Sequence, residues 1–475
     1  CLDSCPTTPG QVGSACDDGD PDTFLSQLNA TCACEAVPQS GDYRSVASGA
    51  WESASTWEVY SGSMFQPAST PPAVSSGWIT IRTGHTVTIT SAVAADQTLV
   101  EVGGALSLSN TLSLNDATGD DLRIRGTLTL LGGALDGTGS VVIRNGALLS
   151  VPNVGTLRAN CTLNVDAGGS VDKSGNASLF IGGILNNAGT FNVNGGIITG
   201  LSGAPRTFNN LSGGVINLNV WRLQSNSWSQ TSVYNAGTIN KNSGNFVQFS
   251  FAGDRWRNLD GGVVNVNSGY LAISTLGLTP ELSDQRGAFN VAPGATLQVG
   301  GNFGFRFLGT SINNNGILNC FPTAFLGTGP QFLNRTGSLN YLTINSPGGV
   351  TLGGTQTVTS NLTLTSGTIT LGNNDLILGT SSLDGGSASS YVVTNGTGSL
   401  LRTVAPGSAP PFPVGTAGSY LPAVVQLDPA STTDVFRVRA ADGVSTTYDA
   451  NDNPTGSVVT SNSVLRTWVV REGTD

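Results

Sequence analysis

One phrase recurs through the middle of the chain and limits its folds more than any other feature. An apolar residue is followed by one or more Asn, then Gly, then two or three β-formers. It reads Leu185-Asn186-Asn187-Ala188-Gly189-Thr190-Phe191-Asn192-Val193, then Tyr234-Asn235-Ala236-Gly237-Thr238-Ile239-Asn240, and later Ile312-Asn313-Asn314-Asn315-Gly316-Ile317-Leu318-Asn319. The phrase glycines run through Gly104, Gly126, Gly146, Gly169, Gly189, Gly214, Gly237, Gly262, Gly294, Gly316 and Gly337. Their spacing clusters around ~20–25 residues, the range in which a repeat specifies a solenoid.

Between the glycines the β-formers come in short runs such as Thr127-Leu128-Thr129-Leu130, and no stretch sustains an i, i+3, i+4 apolar pattern. A coil of ~22 residues with two or three such strands is a parallel β-helix. Each strand pairs with its equivalents above and below, and inward Leu, Val, Ile and Phe stack into one core. Gly is expected at φ > 0 corners, and Asn where its amide can ladder onto the next coil. Residues 101–400 accommodate about 13 coils, on the order of 60 Å of rod at ~4.8 Å per coil. A leucine-rich repeat would need a regular Leu-x-x-Leu-x-Leu frame, which is absent. The long interval from Gly262 to Gly294 predicts a loop projecting over 268–286.

The flanks read differently. Cys1, Cys5, Cys16, Cys32 and Cys34 crowd the start of the chain, which predicts a disulfide-stapled module over 1–40 made in an oxidising compartment. An odd number leaves one thiol over. Cys1 is the natural one, available to another chain or, at a mature terminus, to a lipid. Cys-x-Cys spacing without a nearby His is poor zinc geometry. Cys161 and Cys320 stand alone and are expected to be buried, inert thiols, too far apart to bridge. Residues 41–100, with Trp51, Trp57 and Gly84-His85-Thr86-Val87, read as the cap that closes the exposed end of a β-helix. His85 is read as structural. Beyond 400, Pro406, Pro410, Pro411 and Pro413 end the repeat. Alternating runs such as Val435-Phe436-Arg437-Val438-Arg439 predict a small antiparallel β-sandwich over 401–475, short enough to accept a strand from elsewhere. The fold class is therefore all-β: a parallel β-helix with a stapled cap and a C-terminal β-sandwich.

Charge narrows the partners. Twenty Lys plus Arg against 30 Asp plus Glu give a net charge of −10, which argues against nucleic acid and anionic membranes. A single His excludes mechanisms built on paired imidazoles and His-rich metal sites. No apolar run approaches the ~18–20 residues of a membrane span. Without a starting Met or signal peptide, the chain is expected to be a processed or excised piece.

Candidate sites are sparse, and no catalytic residue is assigned. A β-helical lyase or hydrolase would need clustered carboxylates beside basic groups. The nearest approaches are Asp254, Arg255, Arg257 and Asp260, and Asp284 with Arg286, which read more simply as solvated ion pairs. Trp221, Trp228, Tyr234, Trp256 and Tyr270 fall within about three coils and would stack on sugars if they shared one outer face. The plainer reading is core packing. Asp17, Asp18, Asp20 and Asp22, and Asp449 and Asp452 with Asn451 and Asn453, form two oxygen-rich loops suited to structural calcium, although Asp and Asn are also turn formers. No other cofactor is expected.

Taken together, the three regions resemble secreted modular surface proteins of Bacteroidota exported by the type IX system. Gly13-Ser14-Ala15-Cys16-Asp17-Asp18-Gly19-Asp20, with Thr23 and Cys32-Ala33-Cys34, is similar to a short module of those proteins. The Trp51/Trp57 and Gly84-His85-Thr86-Val87 stretches resemble the start of their β-helices. Phe412-Pro413-Val414-Gly415, Tyr420-Leu421-Pro422 and Arg466-Thr467-Trp468 resemble the sandwich that follows, which in that family continues beyond the Trp strand. The resemblance implies an extracellular place at the bacterial surface. The expected function is a non-enzymatic filament subunit that meets copies of itself head to tail, with a donated strand. The alternatives are a glycan-binding adhesin or stalk module and a β-helical polysaccharide lyase or hydrolase.

Overall fold

The computed structural model describes residues 11–472, apart from 21, 24–25, 116–118, 159, 201–205, 220–221, 225–230, 252–255, 276–283, 310, 337 and 463. Two compact units divide the chain: Cys1–Val220 with Trp228–Ser232, and Trp221–Ser227 with Val233–Asp475. Both are built from parallel β-solenoid coils, about 13 turns in all. Among the described residues the one helical element is the 3-10 turn Ala54–Thr56.

The short alternating runs set the coil. In the first unit, Leu122–Ile124, Thr127–Leu130 and Ala134–Gly137 form three strands of one turn. Each pairs in parallel with its equivalents one coil away. Period-2 alternation sends every second side chain inward, and a constant register stacks like on like. Val87, Leu106, Leu128, Leu149, Val171, Phe191 and Ile216 are successive register partners down one face, and all are buried. The second unit repeats the device with Ile239, Val264, Phe289, Ile312, Leu333 and Leu352. Each such side chain contributes about 1.5–3 kcal/mol relative to exposure.

The Asn-Asn pairs of the phrase divide between core and surface. Asn186 and Asn187 lie in register with Asn209 and Asn210. Asn187 and Asn210 point inward, and the Nδ2 of Asn187 donates to Oδ1 of Asn210 at 2.8 Å. Asn209 donates outside to Asn186 at 2.8 Å, and Asn186 to Asn164 at 2.8 Å. In the second unit, Asn235 donates to buried Asn258 at 2.8 Å, and an outer ladder joins Asn313, Asn290, Asn265 and Asn240. The amide laddering expected from the sequence is present.

Glycine takes left-handed corners as expected, but several of the phrase glycines are not themselves the corner residue. Gly146 and Gly294 do take positive φ. At Gly213-Gly214 and Gly261-Gly262, the left-handed conformation belongs to the first glycine, at φ 82° and 81°. The second lies where stacking leaves no room for a side chain. A Cβ on Gly214 would sit 2.2 Å from the carbonyl oxygen of Asn187, and one on Gly262 2.2 Å from that of Asn235.

In the first unit, an antiparallel meander of Tyr43–Ser45, Trp57–Tyr60 and Phe65–Pro67 leads into the coils, with Tyr43–Ser45 parallel to Ile79–Ile81. Trp51 and Trp57 are each 1% exposed and meet edge to face at 5.0 Å. Their indole N–H groups donate to the Pro72 and Trp51 carbonyls. Each buried tryptophan thus finds the acceptor it needs. The regular coils begin at Ile79, inside the stretch read as cap. In the second unit, the antiparallel strands expected after residue 400 are built directly onto the coils. Leu400–Val404 lies parallel to Leu376–Gly379 on one side and antiparallel to Asp434–Asp442 on the other. Asp434–Asp442 then pairs antiparallel with Arg466–Glu472. Val414–Thr416 continues the parallel ladder from Val392–Val393.

Candidate functional site

Both oxygen-rich loops meet arginines. In the first, Asp17, Asp18 and Asp20 each accept the backbone N–H two residues on, at 2.8, 3.0 and 3.0 Å. The N–H of Asp20 holds the Asp18 carboxyl below the usual carboxylate range. Asp20 receives Arg125 at 2.7 Å, and Asp22, only 4% exposed, receives Arg144 at 2.8 Å. Arg144 also reaches Asp120 at 3.1 Å and Asp166 at 2.9 Å. The loop expected to take calcium therefore docks the N-terminal module onto the coils through guanidinium groups. Among the described residues, no group of three or more His, Cys, Asp or Glu is arranged to hold a metal ion.

The module is stapled by Cys16–Cys34, with Cα atoms 5.9 Å apart, and Cys32 is also disulfide-bonded. Cys1 and Cys5 lie outside the described residues. Cys161 is free and buried, and burial pushes its thiol up to about 12, which leaves it inert as expected.

In the second loop, Asp449 accepts the N–H groups of Asn451 and Asn453, each at 2.8 Å. The N–H of Asn453 holds the Asp449 carboxyl low. Arg439 donates to the carbonyls of Asn451 at 3.2 Å and Asp452 at 2.7 Å. Arg471 bonds the carboxylate of Asp452 and the carbonyl of Ala450. Here too the oxygens face cations supplied by the chain.

The three aromatic candidates among the described residues do not share one outer face. Trp221 and Trp228 lie outside the described residues. Trp256 is 0% exposed, inward in the strand Trp256–Asn258. Tyr234 is half-buried on Thr231–Asn235. Tyr270 lies on Tyr270–Thr275, where its ring packs against Phe246 at 5.1 Å and its hydroxyl bonds Gln298. Strand alternation turned the tryptophan into the core, a spacing the sequence allowed but did not specify.

The acidic candidates also separate. Asp254 and Arg255 lie outside the described residues. Asp260 and Arg286 are exposed and 3.8 Å apart, whereas Asp284 pairs with Arg306 at 2.6 Å. The loop expected over 268–286 is partly strand, at Tyr270–Thr275 and Asp284–Gln285. His85 Nδ1 lies 2.8 Å from Ser45 Oγ, a contact the sequence did not indicate. Ser45 is 0% exposed and its hydroxyl accepts the N–H of Arg82, so the pair ties the cap to the first coil.

The strand Arg466–Glu472 lies at the margin of the antiparallel strands of the second unit. Among the described residues its ladder runs to Asp434–Asp442 alone. Trp468 and Val470 stand on its exposed face, 43% and 46% accessible. A scan against protein-family models and a search of curated proteins find no match to this chain. No helix among the described residues is long and apolar enough to cross a membrane.

Proposed function

We propose that the chain is an extracellular, non-enzymatic structural protein of a bacterial surface, which assembles with copies of itself by adding a strand along Arg466–Glu472. The observation that carries this reading is the edge strand itself, with Trp468 and Val470 presented beside a backbone edge that has no ladder partner among the described residues. Such an edge is a template for main-chain pairing, and its charged residues Arg466, Arg471 and Glu472 stand at the ends of the strand, leaving residues 467–470 uncharged. The Cys16–Cys34 disulfide supports an oxidising compartment. A donated strand from the N-terminal segment of a neighbour is the form of contact expected.

Electron microscopy of the purified chain tests this. Filaments or ordered multimers are expected for the native sequence. The double variant W468K/V470K should give isolated particles with an unchanged β-sheet circular dichroism spectrum. Isolated particles of the native chain at every concentration would overturn the proposal. Filaments that survive the double variant would overturn the assignment to this edge.

A further inference from the structure

The antiparallel strands of the second unit enclose a second feature that assembly does not use. Arg437 and Arg439 on Asp434–Asp442, and Arg471 on Arg466–Glu472, project into one cleft of about 390 Å3, with Arg437 and Arg471 direct register partners. That volume lies within the ~300–1,000 Å3 of small-ligand sites. The face of the edge strand that lines the cleft, with Val469 and Arg471, is opposite to the one that exposes Trp468 and Val470.

Three guanidinium groups meet three carboxylates, Asp375, Asp449 and Asp452. Asp375 accepts Arg437 at 3.1 Å and the N–H of Ser399 at 2.9 Å, so both its oxygens are occupied. Asp452 accepts Arg471. Arg439, 7% exposed, is held by the carbonyls of Gly396, Asn451 and Asp452. Carbonyls orient a guanidinium without neutralising it. The lining of the cleft presents three guanidinium groups and one carboxylate, Asp375, while Asp449 and Asp452 are not part of it. Each guanidinium has five N–H donors, more than these partners use. The remaining walls are amides and hydroxyls, including Asn373, Thr397 and Asn453, with Val469 the one apolar side chain lining the cleft.

We infer that this cleft binds an acidic polysaccharide, taking the carboxylate or sulfate of one sugar on Arg437, Arg439 and Arg471 and its hydroxyls on the surrounding amides. Guanidinium forks match planar carboxylates and sulfates in two-point contacts. A lining this polar suits a polyhydroxylated ligand and offers nothing to an acyl chain or a hydrophobic peptide.

Calorimetric titration tests the inference with four probes: an oligogalacturonate, a sulfated dextran fragment, neutral dextran of the same length, and inorganic sulfate. One or both acidic oligosaccharides should bind, more weakly as salt rises, and neutral dextran should not. The tighter of the two acidic probes identifies the anionic group. Arg437→Gln should weaken binding about tenfold or more, as should Arg471→Gln, while W468K/V470K leaves it unchanged. The last comparison separates this site from the assembly edge. If Arg471→Gln disturbs the edge strand, visible as a lowered melting temperature, Arg437→Gln carries the test. The inference is overturned if neutral dextran binds as well as the acidic probes, if sulfate alone binds, if no probe binds, or if Arg437→Gln leaves affinity unchanged.

Discussion

Asp22 and Arg144 stand 122 residues apart in sequence and 2.8 Å apart in the fold. Arg144 also grips Asp120 and Asp166, so one guanidinium joins the stapled module to two neighbouring coils. Asp22 is 4% exposed, with Arg125 as its next cation at 3.8 Å. Replacing Arg144 by Ala strands a buried carboxylate, a loss of about 3 kcal/mol. The expected result is release of the 11–40 region to protease well below the melting temperature of the solenoid. Arg144→Lys, which keeps charge without the fork, should recover only part of the protection. Unchanged protease resistance in Arg144→Ala would show that the disulfide-stapled module is held by other contacts.

The inner asparagine ladder makes a second, separable prediction. Asn187 and Asn210 are 0% and 1% exposed and bonded at 2.8 Å. Each single change to Ala leaves a buried polar partner behind and should cost about 1–3 kcal/mol in denaturant unfolding. The double change removes both groups and should cost less than the sum, by about 1 kcal/mol. Strict additivity would mean that the ladder fills space without stabilising the stack.

What the sequence disclosed and what it hid differ by range. The coil was legible because period, alternation and the Asn phrase are local, and a solenoid repeats local pairings between neighbours a fixed distance away. The inner stack from Val87 to Ile216 is alternation read straight down the register. The partners of the acidic loops were hidden because Asp20 and Arg125 are 105 residues apart, and nothing local marks such a pair. Asp452 and Arg471 are closer, 19 residues apart, yet nothing local marks that pair either. Trp256 follows the plainer reading, core packing, and the sequence left the choice open for a subtler reason. Aromatics at similar coil positions face one way only if each sits on the same parity of its strand, and Trp256 shares its inward parity with Asn258.

Lys241 gives the fold a pH signature. It is one of two lysines, it is 0% exposed, and its amine donates to the Ser243 carbonyl and hydroxyl and to the Ser268 carbonyl. Burial pulls its pKa down to about 8, against an ordinary value of about 10.4. The folded state therefore releases this proton before the unfolded state does. Between about pH 8 and 10.4 the unfolded chain binds more protons, so stability attributable to Lys241 rises with pH. Lys241→Met should remove that rise from a urea-midpoint profile measured between pH 7 and 10. An unaltered profile would show that the amine stays charged among its oxygens.

The adjacent glycines Gly261 and Gly262 test the two separate demands that a coil corner makes. Gly261 has φ 81°, and a Cβ there would have its nearest neighbour 4.0 Å away. Gly261→Ala faces only backbone strain, about 1 kcal/mol. Gly262 has no positive φ, but its Cβ would fall 2.2 Å from the Asn235 carbonyl oxygen and 2.4 Å from Oδ1 of Asn258. To admit it, the corner must lift away from the coil beneath and disturb the bond between Asn235 and Asn258. Gly262→Ala should cost about 3 kcal/mol, the upper range for overpacking. Denaturant unfolding of the two variants should therefore rank Gly262→Ala as clearly the less stable. The reverse order would mean that left-handed backbone, rather than the spacing between coils, dictates glycine in the repeat.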